Sequence, residues 1–106
     1  MAAMSADKNS EKLVTIGLAE GLHLRPADAF VSLAKQFESG IALSKDAESV
    51  DGKSILQIIT LAAGPGESLL IRASGPDSEE AVEALSALVE RNFDIGESES
   101  ANAESS

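Results

Sequence analysis

The feature that most limits what this chain can fold into is a change of apolar period at Pro26. Upstream, Lys12 to Leu18 (KLVTIGL) reads as a buried strand, with Leu13 and Thr15 on one face and Val14 and Ile16 on the other. Downstream, Ala27, Phe30, Val31, Ala34 and Phe37 recur at helical spacing, while Asp28, Ser32, Lys35 and Gln36 fall elsewhere. A helix is therefore expected from Pro26 to about Glu38. Pro26 suits the first helical position, because its missing N–H would have no intrahelical partner there. The joint between the two periods, Gly21-Leu22-His23-Leu24-Arg25-Pro26-Ala27, holds the chain's only histidine. His23 is expected just ahead of a helix, where free backbone N–H groups and the positive end of the helix dipole favour an anion. A nucleophilic imidazole, the Arg25 guanidinium and an anion site thus fall within one turn. That combination suits a phosphoryl group.

Ser39-Gly40 supplies a helix stop. Ile41 to Lys45 then alternates as a half-buried strand, Asp46-Ala47 reads as a tight turn, and Glu48 to Val50 as a short return strand ending at Asp51-Gly52. The run from Lys53 to Ala62 is compatible with strand by its β-branched content. Ser54 followed by Gln57 makes a capping box, however, and Gly64-Pro65-Gly66 stops the segment, which favours a short helix. Glu67 to Ser74 alternates again, with Leu69, Ile71 and Ala73 on one face. Asp77 and Glu80 form a second capping box ahead of a long helix striped by Ala81, Val82, Leu85, Leu88 and Val89. The order β-α-β-β-α-β-α places three helices against one face of a four-stranded antiparallel sheet. The expected fold class is α+β, a two-layer open-faced sandwich.

Composition narrows the function. A chain of 106 residues suggests one domain with a modest core, here aliphatic because only 3% of residues are aromatic. The formal net charge of −10, most of it outside the tails, opposes binding to nucleic acid or to anionic lipid. With no cysteine and one histidine, thiol chemistry and a multi-histidine metal site are excluded, and no metal or cofactor is expected. No apolar run reaches the length of a membrane span and Met1 to Lys12 lacks the apolar core of a signal peptide, so a cytoplasmic location without membrane insertion is expected. Residues 1–11, small and polar, and residues 94–106, rich in Glu and Ser, are expected to be disordered tails around a domain spanning 12–93.

Taken together, these residues and this element order resemble the HPr family, the histidine-containing phosphocarriers of the phosphoenolpyruvate-dependent sugar phosphotransferase system. Gly21 to Ala27 matches the family's active-site signature, and Lys53-Ser54-Ile55-Leu56 its regulatory-serine region, at fitting spacing. The resemblance spans roughly Lys12 to Phe93. It implies that enzyme I passes a phosphoryl group to Nδ1 of His23, that Arg25 steadies the phosphoryl oxygens, and that the group moves on to EIIA domains of sugar permeases. The chain would then be a phosphoryl carrier, a transferase component that is no self-sufficient enzyme, and a monomer. In carriers with the regulatory serine a kinase/phosphorylase modifies it, here Ser54, hindering transfer from enzyme I. Leu24, bulkier than the small residue usual between the histidine and the arginine, joins Ile55, Leu56 and Ile59 as candidate partner-binding residues.

Each residue also has a plainer role. A lone histidine at a helix start is ordinarily structural, but Gly21, Arg25 and Pro26 around it weigh towards function. Serine at a helix start is usually a cap, so local sequence leaves Ser54 balanced. Some of Ile55, Leu56 and Ile59 must be core. Two other classes remain: a regulatory binding protein of the same fold whose phosphorylation is a signal, and an unrelated small α+β ligand-binding domain.

Overall fold

The computed structural model describes residues 8–93. The expected disorder of residues 1–7 and 94–106 concerns segments outside the described residues. The elements run β1 (Asn9–Thr15), α1 (Leu24–Ala34), β2 (Gly40–Lys45), β3 (Glu48–Asp51), α2 (Ile55–Thr60), β4 (Ser68–Ser74) and α3 (Ser78–Glu90). The four strands form one antiparallel sheet in the order β1-β4-β2-β3. Val14 and Ile16, Ile41 and Leu43, and Leu69, Ile71 and Ala73 bury one sheet face. Against it pack Ala27, Phe30, Val31 and Ala34 of α1, Ile58 of α2, and Ala81, Val82, Leu85, Leu88 and Val89 of α3. The opposite face is open: Leu13 is 63% exposed, and Glu11 meets Arg72 at 3.4 Å across β1 and β4. The two-layer α+β sandwich and its element order are as the periodicities predict.

Boundaries moved where backbone pairing outweighed apolar pattern. Residues 9–11, assigned to the N-terminal tail from their polarity, instead continue β1 and pair with Ser74, Ala73 and Arg72. Ladder hydrogen bonds are made by the backbone, so a seven-residue inner strand recruits a polar stretch as readily as an apolar one. At its other end β1 leaves the regular ladder after Thr15, although Ile16 still donates to Glu67 O at 2.9 Å and accepts from Gly66 N–H at 2.8 Å. Helix α1 begins at Leu24, so Pro26 is its third residue, not its first, and still lies among the N–H groups that lack an intrahelical partner. The helix also ends earlier than Glu38. Beyond Ala34 the bonds tighten to Gln36 N–H→Leu33 O and Phe37 N–H→Ala34 O.

The two capping boxes fare differently. Ser54 caps α2, its Oγ accepting from Gln57 N–H at 3.3 Å, but Gln57 Oε1 accepts from Asp51 N–H and does not return to Ser54. Asp77 stands at the N-cap of α3 without a side-chain cap bond. Its carboxylate turns to the α1–β2 connector, accepting from the N–H groups of Glu38 and Ser39 at 2.9 Å each and from Ser39 Oγ. These three donors, the Ser39 hydroxyl foremost, hold the Asp77 carboxyl below its ordinary range.

Candidate functional site

The site begins with a glycine. Gly21 takes φ +75, in the left-handed region, and a Cβ there would lie 2.6 Å from Ala63 O. Leu22, buried, donates its N–H to that same Ala63 O at 2.8 Å. The loop is thereby seated on the α2–β4 connector, and the next residue, His23, emerges as the N-cap of α1 with its side chain 47% exposed. Its carbonyl accepts the first helical bond, from Ala27 N–H at 3.0 Å, but its imidazole makes no cap bond. Among the described residues the N–H groups of Leu24 and Arg25 carry no hydrogen bond, and the first turn holds no acid. The anion site expected at this helix start is therefore unfilled by the protein's own groups.

His23 has a neighbour that composition alone did not single out. Glu20 Oε1 lies 3.4 Å from His23 Nε2. A carboxylate facing Nε2 favours the neutral tautomer protonated there, which leaves the lone pair on Nδ1. The i,i+3 spacing of Glu20 and His23 across a glycine turn was the available signal. Arg25 is exposed and makes no hydrogen bond or ion pair among the described residues, so its guanidinium is free to meet an incoming anion.

Ser54 stands apart from this cluster. The start of α1 is fastened to the end of α2 through Leu22 and Ala63, whereas Lys53 Nζ donates to Phe37 O, just past the end of α1, at 2.8 Å. The start of each helix thus lies beside the end of the other, so His23 and Ser54 stand at opposite ends of α2, offset along its axis by about 9 Å, the length of a six-residue helix. Between them lies the outer surface of α2. Leu56 is 77% exposed there and Leu24, beside His23, 62% exposed, while Ile55 and Ile59 are half-buried and share their area with the core.

Sequence reasoning also passed over the brace beneath the loop. Glu67 Oε1 accepts from Gly64 N–H at 2.7 Å and from Lys45 Nζ at 3.3 Å, and Lys45 Nζ also donates to Ala62 O. The Gly64 N–H first, then the Lys45 ammonium, holds the Glu67 carboxyl below its ordinary range. Among the described residues no group of three His, Asp or Glu side chains is placed to hold a metal ion, and no helix is long and apolar enough to cross a membrane.

Comparison with known proteins agrees with this architecture. The family described as the PTS HPr component phosphorylation site matches residues 10–91. The phosphocarrier protein HPr of Borreliella burgdorferi is 42% identical over 80 residues, covering 76% of this chain and 93% of that protein. The HPr-like protein Crh of Halalkalibacterium halodurans is 42% identical over 81 residues, covering 76% of this chain and 96% of its own. The crystal structure of a phosphocarrier protein HPr from Bacillus anthracis superposes with a TM-score of 0.73 at 43% identity, over 76% of this chain and 96% of that one. This chain belongs to the HPr family of phosphotransferase-system proteins.

Proposed function

We propose that this protein is a phosphocarrier that takes a phosphoryl group from phospho-enzyme I onto His23 and delivers it to EIIA domains in the cytoplasm. The observation that carries the reading is the start of α1: an imidazole with Nε2 turned to Glu20, beside two unpaired N–H groups and an unpaired guanidinium. In the transfer, the Nδ1 lone pair of His23 forms the new N–P bond as the bond from phosphorus to the enzyme I donor breaks, and the donor keeps that electron pair. The Leu24 and Arg25 N–H groups and the Arg25 guanidinium bear on the oxygens of the transferred group. Phosphoryl transfer requires mainly alignment and charge stabilisation, so a small carrier serves if its partner completes the site. Leu24 and Leu56, with parts of Ile55 and Ile59, supply the apolar centre of the docking face.

The test is labelling from phosphoenolpyruvate and enzyme I. Wild type takes up one phosphoryl group that acid removes, and His23→Ala takes up none. Labelling of His23→Ala at the wild-type rate overturns the assignment. Ser54 is the proposed regulatory position, modified by a kinase/phosphorylase of the HPr type. The similarity to an HPr-like protein, as great as to proteins named phosphocarriers, favours a second reading in which phosphorylation of this chain is itself the signal. Labelling by enzyme I with no onward transfer to any EIIA domain would select that reading.

A further inference from the structure

Apart from the buried Leu22 side chain and a turn bond from Gly21 N–H to Leu18 O at 3.1 Å, the His23 loop is fastened through its backbone to the α2–β4 connector. Its seat is one carbonyl, Ala63 O, which receives the Leu22 N–H at 2.8 Å and against which Gly21 packs. Transfer between two proteins depends on where that imidazole stands, so what fixes Ala63 bears on the reaction. Ala63 is itself buried, within a connector of unusual backbone geometry. Ala62 before it adopts φ +54, unusual for a residue with a Cβ, and Gly64-Pro65-Gly66 follow.

Two side chains grip the peptides on either side of Ala63. Lys45, from the end of β2, donates to Ala62 O at 3.3 Å, and Glu67, from just before β4, accepts from Gly64 N–H at 2.7 Å. Lys45 and Glu67 also meet each other at 3.3 Å, and only 19% of the Lys45 side chain is exposed. The Glu67 backbone ties the same corner to β1, its carbonyl accepting from Ile16 N–H at 2.9 Å. The result is a closed brace: β2 and β4 through one ion pair, that pair to the two peptides flanking Ala63, and Ala63 to the residue before His23.

We infer that Lys45 and Glu67 are positioning residues for phosphoryl transfer, acting through Ala63 and Leu22 to hold His23 in register with its partners. Neither makes a hydrogen bond or an ion pair with the imidazole. The inference rests on the reading of His23 as phosphoryl acceptor. A brace that aligns the nucleophile governs the rate within the docked complex and not the docking itself. Releasing one anchor of such a loop is expected to cost roughly tenfold to a hundredfold in transfer rate, the scale of a misplacement near 1 Å.

The experiment follows single-turnover uptake from phospho-enzyme I, made from phosphoenolpyruvate, by full-length wild type, Glu67→Ala, Lys45→Met and Lys45→Arg. Hydrogen exchange of the Leu22 amide is read in the same proteins without phosphorylation. Glu67→Ala and Lys45→Met should lower the saturating rate while leaving the half-saturating concentration of phospho-enzyme I unchanged, and should speed exchange at Leu22. Lys45→Arg should stay close to wild type in both. A Glu67→Ala protein that is folded by circular dichroism and transfers at the wild-type rate overturns the inference, as does a loss confined to half-saturation. Should Glu67→Ala fail to fold, Lys45→Met decides on the same criteria. If wild type itself is not labelled, the carrier reading has failed, and unchanged Leu22 exchange in the variants would separately sink the brace.

Discussion

At the scale of single residues, two glycines separate conformational strain from steric fit. Gly21 and Gly66 both hold positive φ, +75 and +83, so a side chain at either is strained. They differ in surroundings: a Cβ at Gly21 would press on Ala63 O and on Gly64 Cα at 3.0 Å, whereas nothing lies within 4 Å of one at Gly66. Gly66→Ala is expected to cost about 1 kcal/mol from backbone strain alone, and Gly21→Ala about 2–3 kcal/mol, because the Ala63 carbonyl must also move. Only Gly21→Ala should slow uptake at His23, since it alone unseats the loop. Urea denaturation and labelling rates check both statements; equal stability of the two variants would show that the close approach to Ala63 is not felt. Glu20 belongs to the same scale. Removing its carboxylate should shift the neutral tautomer balance of His23 away from the Nε2-protonated form, a change that nitrogen chemical shifts read directly.

At the scale of elements, Asp77 shows how one side chain can join segments that the sequence presents as separate. Its three donors lie nearly forty residues away, in the connector that ends α1 and opens β2. Because its folded-state pKa is depressed, its stabilisation is present above the ordinary carboxylate range and is lost as pH falls through the lower folded value. Glu67 contributes with the same sign. Asp77→Asn is therefore expected to be less stable than wild type at neutral pH, with the urea midpoints of the two converging below about pH 4. A stability gap that is independent of pH would mean that the charge contributes nothing. The same residue marks the limit of what could be read from sequence. Apolar period found β1, α1, β2, β4 and α3, because Val14, Phe30, Ile41, Ile71 and Leu85 must face one core, whereas β3 and α2 were read from turn and capping signals around them. The motif Asp77-x-x-Glu80 was read as a capping box because such motifs are local, while the bonds actually made reach across the fold. Asn9 to Glu11 were missed for the converse reason: backbone pairing left no mark on their side chains. The placing of His23 and Arg25 at a helix start was legible because Pro26 must lie within a helix's first turn, although it stands third and not first in α1. Lys45 and Glu67 were not, since only the folded chain brings the ends of β2 and β4 beside Ala63.

At the scale of the whole molecule, the antiparallel packing of α1 and α2 bears on how a phosphate on Ser54 would act. Phosphates on Ser54 and on His23 would each carry up to about two charges, so with at least about 9 Å of offset between them their repulsion in water is about 2 kcal/mol at most, and salt at physiological strength screens this further. Direct repulsion at His23 through solvent is thus modest. A partner that covers the exposed Leu56 and Leu24 must also cover the ground beside Ser54, where a phosphate adds about −1.5 to −2 charges to a surface losing its water. Like charge or unpaired charge at a forming interface costs far more than the same charge in solvent. Interference should therefore fall on docking. Ser54→Glu is expected to raise the half-saturating concentration of phospho-enzyme I while leaving the saturating transfer rate nearly unchanged, and the effect should shrink as salt is added. Leu56→Ser should raise the same concentration, but without the salt dependence, because it removes apolar burial of about 1.5–3 kcal/mol at most and no charge. A Ser54→Glu protein that docks as well as wild type but transfers slowly would place the switch at His23 itself, which would require coupling along α2 through the Ala63 seat.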